Sequence, residues 1–374
     1  MTERLFDFTP NGRKHRRELM KLRQKMIKFY GIATLASSCI MPGTTFSAQA
    51  ESADISPEND IYAVPLTTTL IPLSHKDNTL TQVGQLRYMG GLNITSSKSR
   101  FGGISSFVIS PDGQQILAIS DSGLWLVADM IYGEDNHLVD MTNARMAPLK
   151  TLSDKKESSI RDAEAMTAVD GSGYVIAFES PHTLRYFQAS QPHDFRSLFS
   201  AQAQKVTFAP RLPDSYATLP NNLGIEALTT LPDGRMLAFS ENTLTTDGQT
   251  STEGWIIGHG KIEAVSYEIS PSYRPTDMAT LPNGDILVLE RHFSLAKGMA
   301  ARLVRLPALS IKAGKTLKGD VIADLAYPLN MDNMEALAVR QNEAGETLIY
   351  IMSDNNYNRL QRNLVMMFKI DKGP

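Results

Sequence analysis

The chain has 374 residues, a formal net charge of −3 at pH 7, and 42% hydrophobic and 21% charged residues. That length allows one large all-β domain or two smaller ones. The weak negative charge gives no sign of a nucleic-acid partner.

Met1–Lys28 is basic, with Arg13, Lys14, Arg16, Arg17, Lys21, Arg23 and Lys25. A modest apolar run follows from Phe29 to Met41, then small residues ending Ser47-Ala48-Gln49-Ala50. This order predicts a secretory signal peptide over residues 1–50, a mature chain from Glu51, and a periplasmic or secreted location. Met26 offers a second start, because Met26–Cys39 alone reads as a signal. Arg16-Arg17-Glu18-Leu19-Met20-Lys21 loosely resembles a twin-arginine signal, and a basic tail on a cytoplasmic protein is the remaining reading. The apolar run is too short and too polar for a transmembrane helix. Cys39, the only cysteine, follows a faint lipoprotein box in which Ala36 fits poorly. Cleavage after Ala50 would leave no cysteine, and so no disulfide, thiol catalysis or cysteine zinc site.

Residues 51–60 read as a polar tail and 61–374 as a single domain. Ile61–Leu73 predicts one or two strands, and Gln82–Ile94 a strand pair turning at Met89-Gly90-Gly91. Five similar stretches follow, Gly103–Gly123, Asp162–Ser180, Gly224–Asn242, Pro275–Phe293 and Asn333–Asn356. Each reads as strand, tight turn, strand, with turns such as Pro232-Asp233-Gly234 supplying the backbone chemistry. Their starts lie roughly 50–60 residues apart, a period that signals a propeller or array. Between them, Trp125–Asp129, Leu184–Phe187, Lys205–Phe208, Trp255–His259, Lys261–Ile269, Ala300–Leu306, Val321–Ala326 and Arg362–Ile370 predict further strands. Met130–Ser159 reads as a charged connection, and Ser294–Leu303 allows a helical turn. Short strands, frequent turns and no βα alternation predict an all-β β-propeller. Six blades are expected, the sixth closed by both termini, with five and seven also open.

Aligned on their turns, the repeats place Ser105, Glu164, Glu226, Asp277 and Glu335 near the start of the first strand. Asp121, Glu179, Glu241, Glu290 and Asp354 fall at the end of the second. Equivalent positions of a propeller lie on rings about its axis, so up to two acidic rings are expected. Crowded carboxylates must bind cations, pair with arginine or stay partly protonated. Arg161, Arg274, Arg291 and Arg359 lie near the motifs. Hard oxygen donors suit Ca²⁺ first, with Mg²⁺ or Mn²⁺ as alternatives. The ligand set is Glu164, Glu226, Asp277, Glu335, Asp121 and Asp354. The structural alternative is that these carboxylates cap turns or bond the backbone of neighbouring blades. His292 is a ligand or base, or a structural residue. No G-x-S-x-G elbow, H-E-x-x-H pair or glycine-rich phosphate loop is present.

Phe101-Gly102-Gly103-Ile104-Ser105, Arg161-Asp162-Ala163-Glu164-Ala165, Asn222–Leu228, Pro275–Ala279, Leu289–Phe293, Asn333–Leu337 and Ser353-Asp354-Asn355-Asn356 with Gln361 stand in the order of a known pattern. The chain resembles the phytase-like family, described as esterase-like activity of phytase, over about residues 100–370. Ala165, Ala227 and Ala336 stand where that family has glycine, and Asn355 replaces an aspartate, removing one anionic ligand. The resemblance implies an exported propeller with hydrolytic activity on phosphate or other esters. Within that reading Glu164, Glu226, Asp277 and Glu335 would be ligands or a water-activating base, and Arg161 and Arg291 would hold the anion of a small-molecule ester or orient the carboxylates. A non-catalytic binding module of the cell envelope and a metal-dependent lactonase are the alternatives.

Overall fold

The strand Gln115–Ser120 shows how these short segments build the domain. Ile116 and Ala118 pack into one hydrophobic cluster, Leu117 and Ile119 into another. Alternate side chains leave opposite faces of a strand, and both faces here are buried. The segment therefore reads as a continuous apolar run. The computed structural model describes residues 60–150, 161–206, 213, 216, 218–220, 222–246, 248–294 and 298–371. The expected leader (residues 1–50, with Met26 and Cys39) and the tail up to residue 59 lie outside them.

The strands form five sheets. Blade 1 runs outward from Ile104–Ile109 through Gln115–Ser120, Leu124–Tyr132 and Leu138–Pro148 to the short Tyr62–Ala63. Blade 2 comprises Arg161–Val169, Gly173–Ser180, His182–Gln188 and Gln204–Lys205. Blade 3 runs from Ile225–Thr230 through Met236–Thr246 and Gln249–Gly258 to Lys261–Ile269, with Thr316–Leu317 added in parallel. Blade 4 is Arg274–Thr280, Ile286–Ser294, Gly298–Leu306 and Asp320–Ala326. Blade 5 takes Asn333–Gln341, Thr347–Asp354 and Asn363–Ile370 from the C-terminal side, then Leu86–Ser96 and Leu66–Leu70 from the N-terminal side.

Five hydrophobic clusters fill the spaces between successive blades. They join blade 1 to 2, 2 to 3, 3 to 4, 4 to 5, and 5 back to 1. Trp125 meets Phe187 edge-on at 5.3 Å between blades 1 and 2, and Phe178 lies in the same cluster. The five innermost strands touch in the same cyclic order. A closed ring of sheets joined by side-chain packing is a β-propeller.

The blade count is five, one of the counts left open, rather than the six expected. The terminal segments do close a blade jointly, but by adding outer strands to the last repeat. Three local expectations are corrected. Met89-Gly90-Gly91 is not a turn but lies within Leu86–Ser96, beside a register shift at Met366/Phe368. The connection 130–159 contains the strand Leu138–Pro148, and Gly298–Leu306 is strand rather than helix. In each case pairing with the neighbouring strands of the blade, the inward one first, decides the conformation over weak local preference. Among the described residues no helix is long and apolar enough to cross a membrane.

Candidate functional site

Each inner strand carries one extra residue relative to its partner. The ladder slips between Ile104 and Ser106, Ala163 and Ala165, Ile225 and Ala227, Pro275 and Asp277, and Met334 and Ala336. The residues at these β-bulges are Ser105, Glu164, Glu226, Thr276 and Glu335. A bulge re-aims the side chain it carries, and four of these five line one cavity of about 300 Å³. At the ends of the second strands, Asp121, Glu179, Glu241, Arg291 and Asp354 line the same cavity. All five blades therefore contribute to one chamber. Among the described residues its lining carries eight carboxylates, with Asp162 the eighth, and one arginine.

The register expected for repeat 4 was displaced by one residue at both positions. Thr276, not Asp277, occupies the bulge, and Arg291, not Glu290, ends the second strand. A one-residue shift sends a strand side chain to the opposite face. Asp277 consequently does not line the chamber. It is 1% exposed and accepts hydrogen bonds from Ser106 Oγ (3.1 Å), Leu337 N (2.8 Å) and Met278 N (2.8 Å). Its Oδ2 ties blade 4 to blades 1 and 5 and its Oδ1 is taken by its own strand, so it stands apart from the expected ligand set. Glu290 lies in a different cavity, accepting from the Tyr267 hydroxyl at 2.7 Å. His292 faces Ser272 O at 3.0 Å and stacks on Tyr273, and it does not line the chamber. Arg161 pairs through its backbone with Ser180, but its side chain lies outside the described residues.

Arg291 binds the blade 5 motif. Its guanidinium donates to Glu335 Oε1 at 2.6 Å and Asn333 Oδ1 at 2.5 Å, and stands 3.6 Å from Glu241. Asn333 Nδ2 donates to the same Glu335 oxygen at 2.6 Å. Glu179 accepts from the backbone N–H of Gly224 in the next blade. A Cβ at Gly224 would stand 3.0 Å from Glu179 Oε1 and 2.9 Å from His182 Nδ1, so glycine allows this approach. Asp354 is 6% exposed, and its Oδ1 is buried without a hydrogen-bond partner.

Burial, then mutual repulsion, raises most of these acids. Burial followed by Glu179 and Glu335 pushes Glu164 well above the ordinary carboxylate range. Burial followed by Glu164 and Glu241 does the same to Glu226. Glu335 is pushed up to about 7 by burial, against the pull of Arg291. Asp354 rises to about 6 for the same first reason, with backbone N–H groups of Asn356, Gly103 and Ile104 offsetting part. Burial also lifts Asp121. Burial alone would lower Arg291, but its carboxylate neighbours, Glu335 first, leave it raised.

Sequence reasoning overlooked Asp162, Asn222 and Asn356, which also line the chamber. All three hold a left-handed backbone, with φ of 57°, 62° and 46°. Asx residues tolerate this conformation best among non-glycine residues, and strained backbone gathers at functional sites.

The family pattern described as phytase-like, esterase-like activity of phytase, matches residues 99–357. The chain belongs to the phytase-like family. The matched span of this phytase-like chain holds every residue that lines the chamber. No curated protein matches the chain. Among solved structures it is similar to the Cps50 (Swd1) β-propeller domain of Myceliophteria thermophila, with 9% identity over 82% of this chain and 99% of that one (TM-score 0.35). It is also similar to a structure titled as a putative gluconolactonase, with 10% identity over 82% and 94% (TM-score 0.36). A putative 6-phosphogluconolactonase from Bacteroides uniformis shares 16% identity over 80% and 81% (TM-score 0.30). Likenesses this low carry no argument about activity, and the propeller stands on the sheets themselves.

Proposed function

We propose that this phytase-like propeller is an ester hydrolase whose chamber binds a divalent cation, Ca²⁺ before Mg²⁺ or Mn²⁺, and cleaves a phosphate or carboxylic ester. The observation that supports this reading is the composition of the chamber, eight carboxylates against one arginine among the described residues. Like charges so close require a counter-cation or protons. The donors are all oxygen, which suits a hard cation. Asp354 Oδ1, without a hydrogen-bond partner among the described residues, adds a further oxygen donor. Among the described residues no three acidic or histidine side chains converge as a finished ligand sphere. Binding would need the chamber carboxylates to draw closer together.

Glu164, Glu226 and Glu335, with Asp121 and Asp354, would hold the ion. When bound, such a cation polarises an ester oxygen and lowers the pKa of water. A bound ion would hold its ligands ionised, so whichever of these glutamates does not ligate it would serve as the water-activating base. Arg291 keeps Glu335 oriented and presents positive charge to an anionic ester. Arg161 is proposed to assist from blade 2.

The deciding experiment is metal content and thermal melting before and after EDTA, with Ca²⁺ added back. Turnover is then measured on phosphate esters, carboxylic esters and lactones. A stoichiometric ion, a reversible melting shift and turnover of one ester class are expected. Absence of all three would replace this reading with the binding-module one, which the Glu179–Gly224 contact between blades 2 and 3 favours. Lactone turnover alone would make the protein a lactonase. We further propose export through the leader at residues 1–50, to be checked by N-terminal sequencing of the periplasmic protein.

A further inference from the structure

Just beyond Asp354 the chain doubles back through two successive left-handed residues, Asn356 (φ 46°) and Tyr357 (φ 51°). Neither is glycine, and a large side chain at positive φ is held only by surrounding contacts. The contacts are specific. Asn355 Oδ1 accepts the Tyr357 N–H at 3.0 Å. The turn carries the phenol from blade 5 onto blade 1, where its hydroxyl lies 2.7 Å from Ser122 Oγ and 3.3 Å from Asp121 Oδ1. Gly102 and Gly103 receive it. A Cβ at Gly103 would collide with Asp121 Oδ1 and the Tyr357 ring, and one at Gly102 with Asn355 Oδ1. Two motifs from opposite ends of the domain, Phe101-Gly102-Gly103 and Ser353–Asn356, thus make one strap across the seam of the ring.

The strap has a cavity on each side. Asp354 and Asn356 face the acidic chamber. Asn355 and Tyr357 face a polar cleft of about 600 Å³ whose lining includes Ser96, Lys98, Arg359 and Gln361. Tyr357 is 41% exposed, and its hydroxyl bonds, its backbone turn and the ring's contact with Gly103 hold it over the seam.

We infer that Tyr357 is the partition between these two cavities and limits the size of molecule that reaches the chamber carboxylates from this side. It positions Asp121 through its hydroxyl and is not itself a catalytic residue. The inference rests on the chamber being the functional site, but not on the reaction proposed for it.

The test reads access directly. The full chain and its Tyr357→Ala and Tyr357→Leu variants are treated with a water-soluble carbodiimide and methylamine. Amidation of peptides containing Asp121 and Glu335 is followed by mass spectrometry. Exposed Glu343 serves as the reference and buried Asp277 as the reporter of unfolding. Chamber labelling relative to Glu343 is expected to rise several-fold in Tyr357→Ala and less in Tyr357→Leu, with Asp277 unlabelled. The inference is overturned if chamber labelling is unchanged in both variants, or rises only together with Asp277. Because the readout needs neither bound cation nor turnover, failure of the hydrolase reading would leave this result unaffected.

Discussion

Glu335 holds its proton more tightly in the folded protein than in the unfolded chain, because its pKa rises from 4.5 to about 7. A raised carboxyl stabilises the fold fully below its unfolded pKa and loses that contribution as pH climbs through the folded value. Glu164, Glu226 and Asp354 are raised as well and act in the same direction. The cation-free protein should therefore melt at progressively lower temperature between about pH 4.5 and pH 7. A melting series at several pH values checks this, and Glu335→Gln should flatten the slope. Below the carboxylate range the trend reverses, since Asp112, held down first by Ser110, must then take up a proton. Arg291 is the counterpart. Removing it leaves Glu335 and Glu241 without their partner, so Arg291→Gln is expected to cost about 2–3 kcal/mol in urea unfolding. That is below the range for fully buried pairs, because the side chain is 28% exposed. A cost under 0.5 kcal/mol would mean that solvent already screens the pair.

The bulged inner strands decide which residues reach the chamber, and here the sequence was only partly legible. Glu164, Glu226, Glu335, Asp121, Asp354 and Arg291 all line it as expected. Asp277 and Glu290 do not, because acidic character was allowed to set the alignment of the fourth repeat. The turn held the better signal. Thr276 stands as far before Gly284 as Glu226 before Gly234, and Arg291 as far after Gly284 as Glu241 after Gly234. A bulge itself leaves no clear mark on composition, since the extra residue is defined only by its partner strand. The same inner strands are joined at threonines. Thr167 and Thr230 hydroxyls lie 3.0 Å apart, Thr230 donates to Ala168 O at 2.7 Å, and Thr229 meets Thr280 at 3.0 Å. Thr230→Val should cost about 0.5–1.5 kcal/mol. Denaturant unfolding would show it, and no change in melting would mean that water replaces the lost bonds.

Over the whole ring, Asp277 joins three blades through one carboxylate. It ties blade 4 to blades 1 and 5 by two directed bonds, with a third to the backbone of its own strand. Asp277→Ala should lower stability by about 3 kcal/mol or more, because a buried network loses its acceptor. The stoichiometry of any bound cation should be unchanged, which calorimetric titration would test. Loss of binding with unchanged stability would return Asp277 to the ligand set. Blade 5 makes the opposite kind of demand. Its N-terminal strand Leu86–Ser96 pairs with a partner from the far end of the chain, Leu92 beside Val365 and Leu86 beside Ile370, and Leu66–Leu70 is added to its outer edge. A chain lacking residues 61–96 should show no cooperative unfolding transition by circular dichroism. The same arrangement sets a clock on synthesis. Strand Leu86–Ser96 leaves the ribosome early with Leu66–Leu70 paired to its outer edge, but its inner edge stays open until Asn363–Ile370 follows, and pairings so distant form slowly. Until the last strand is made the ring has an open seam. A nascent chain therefore holds four of its blades as an unclosed arc, and only the final strand locks them into a ring.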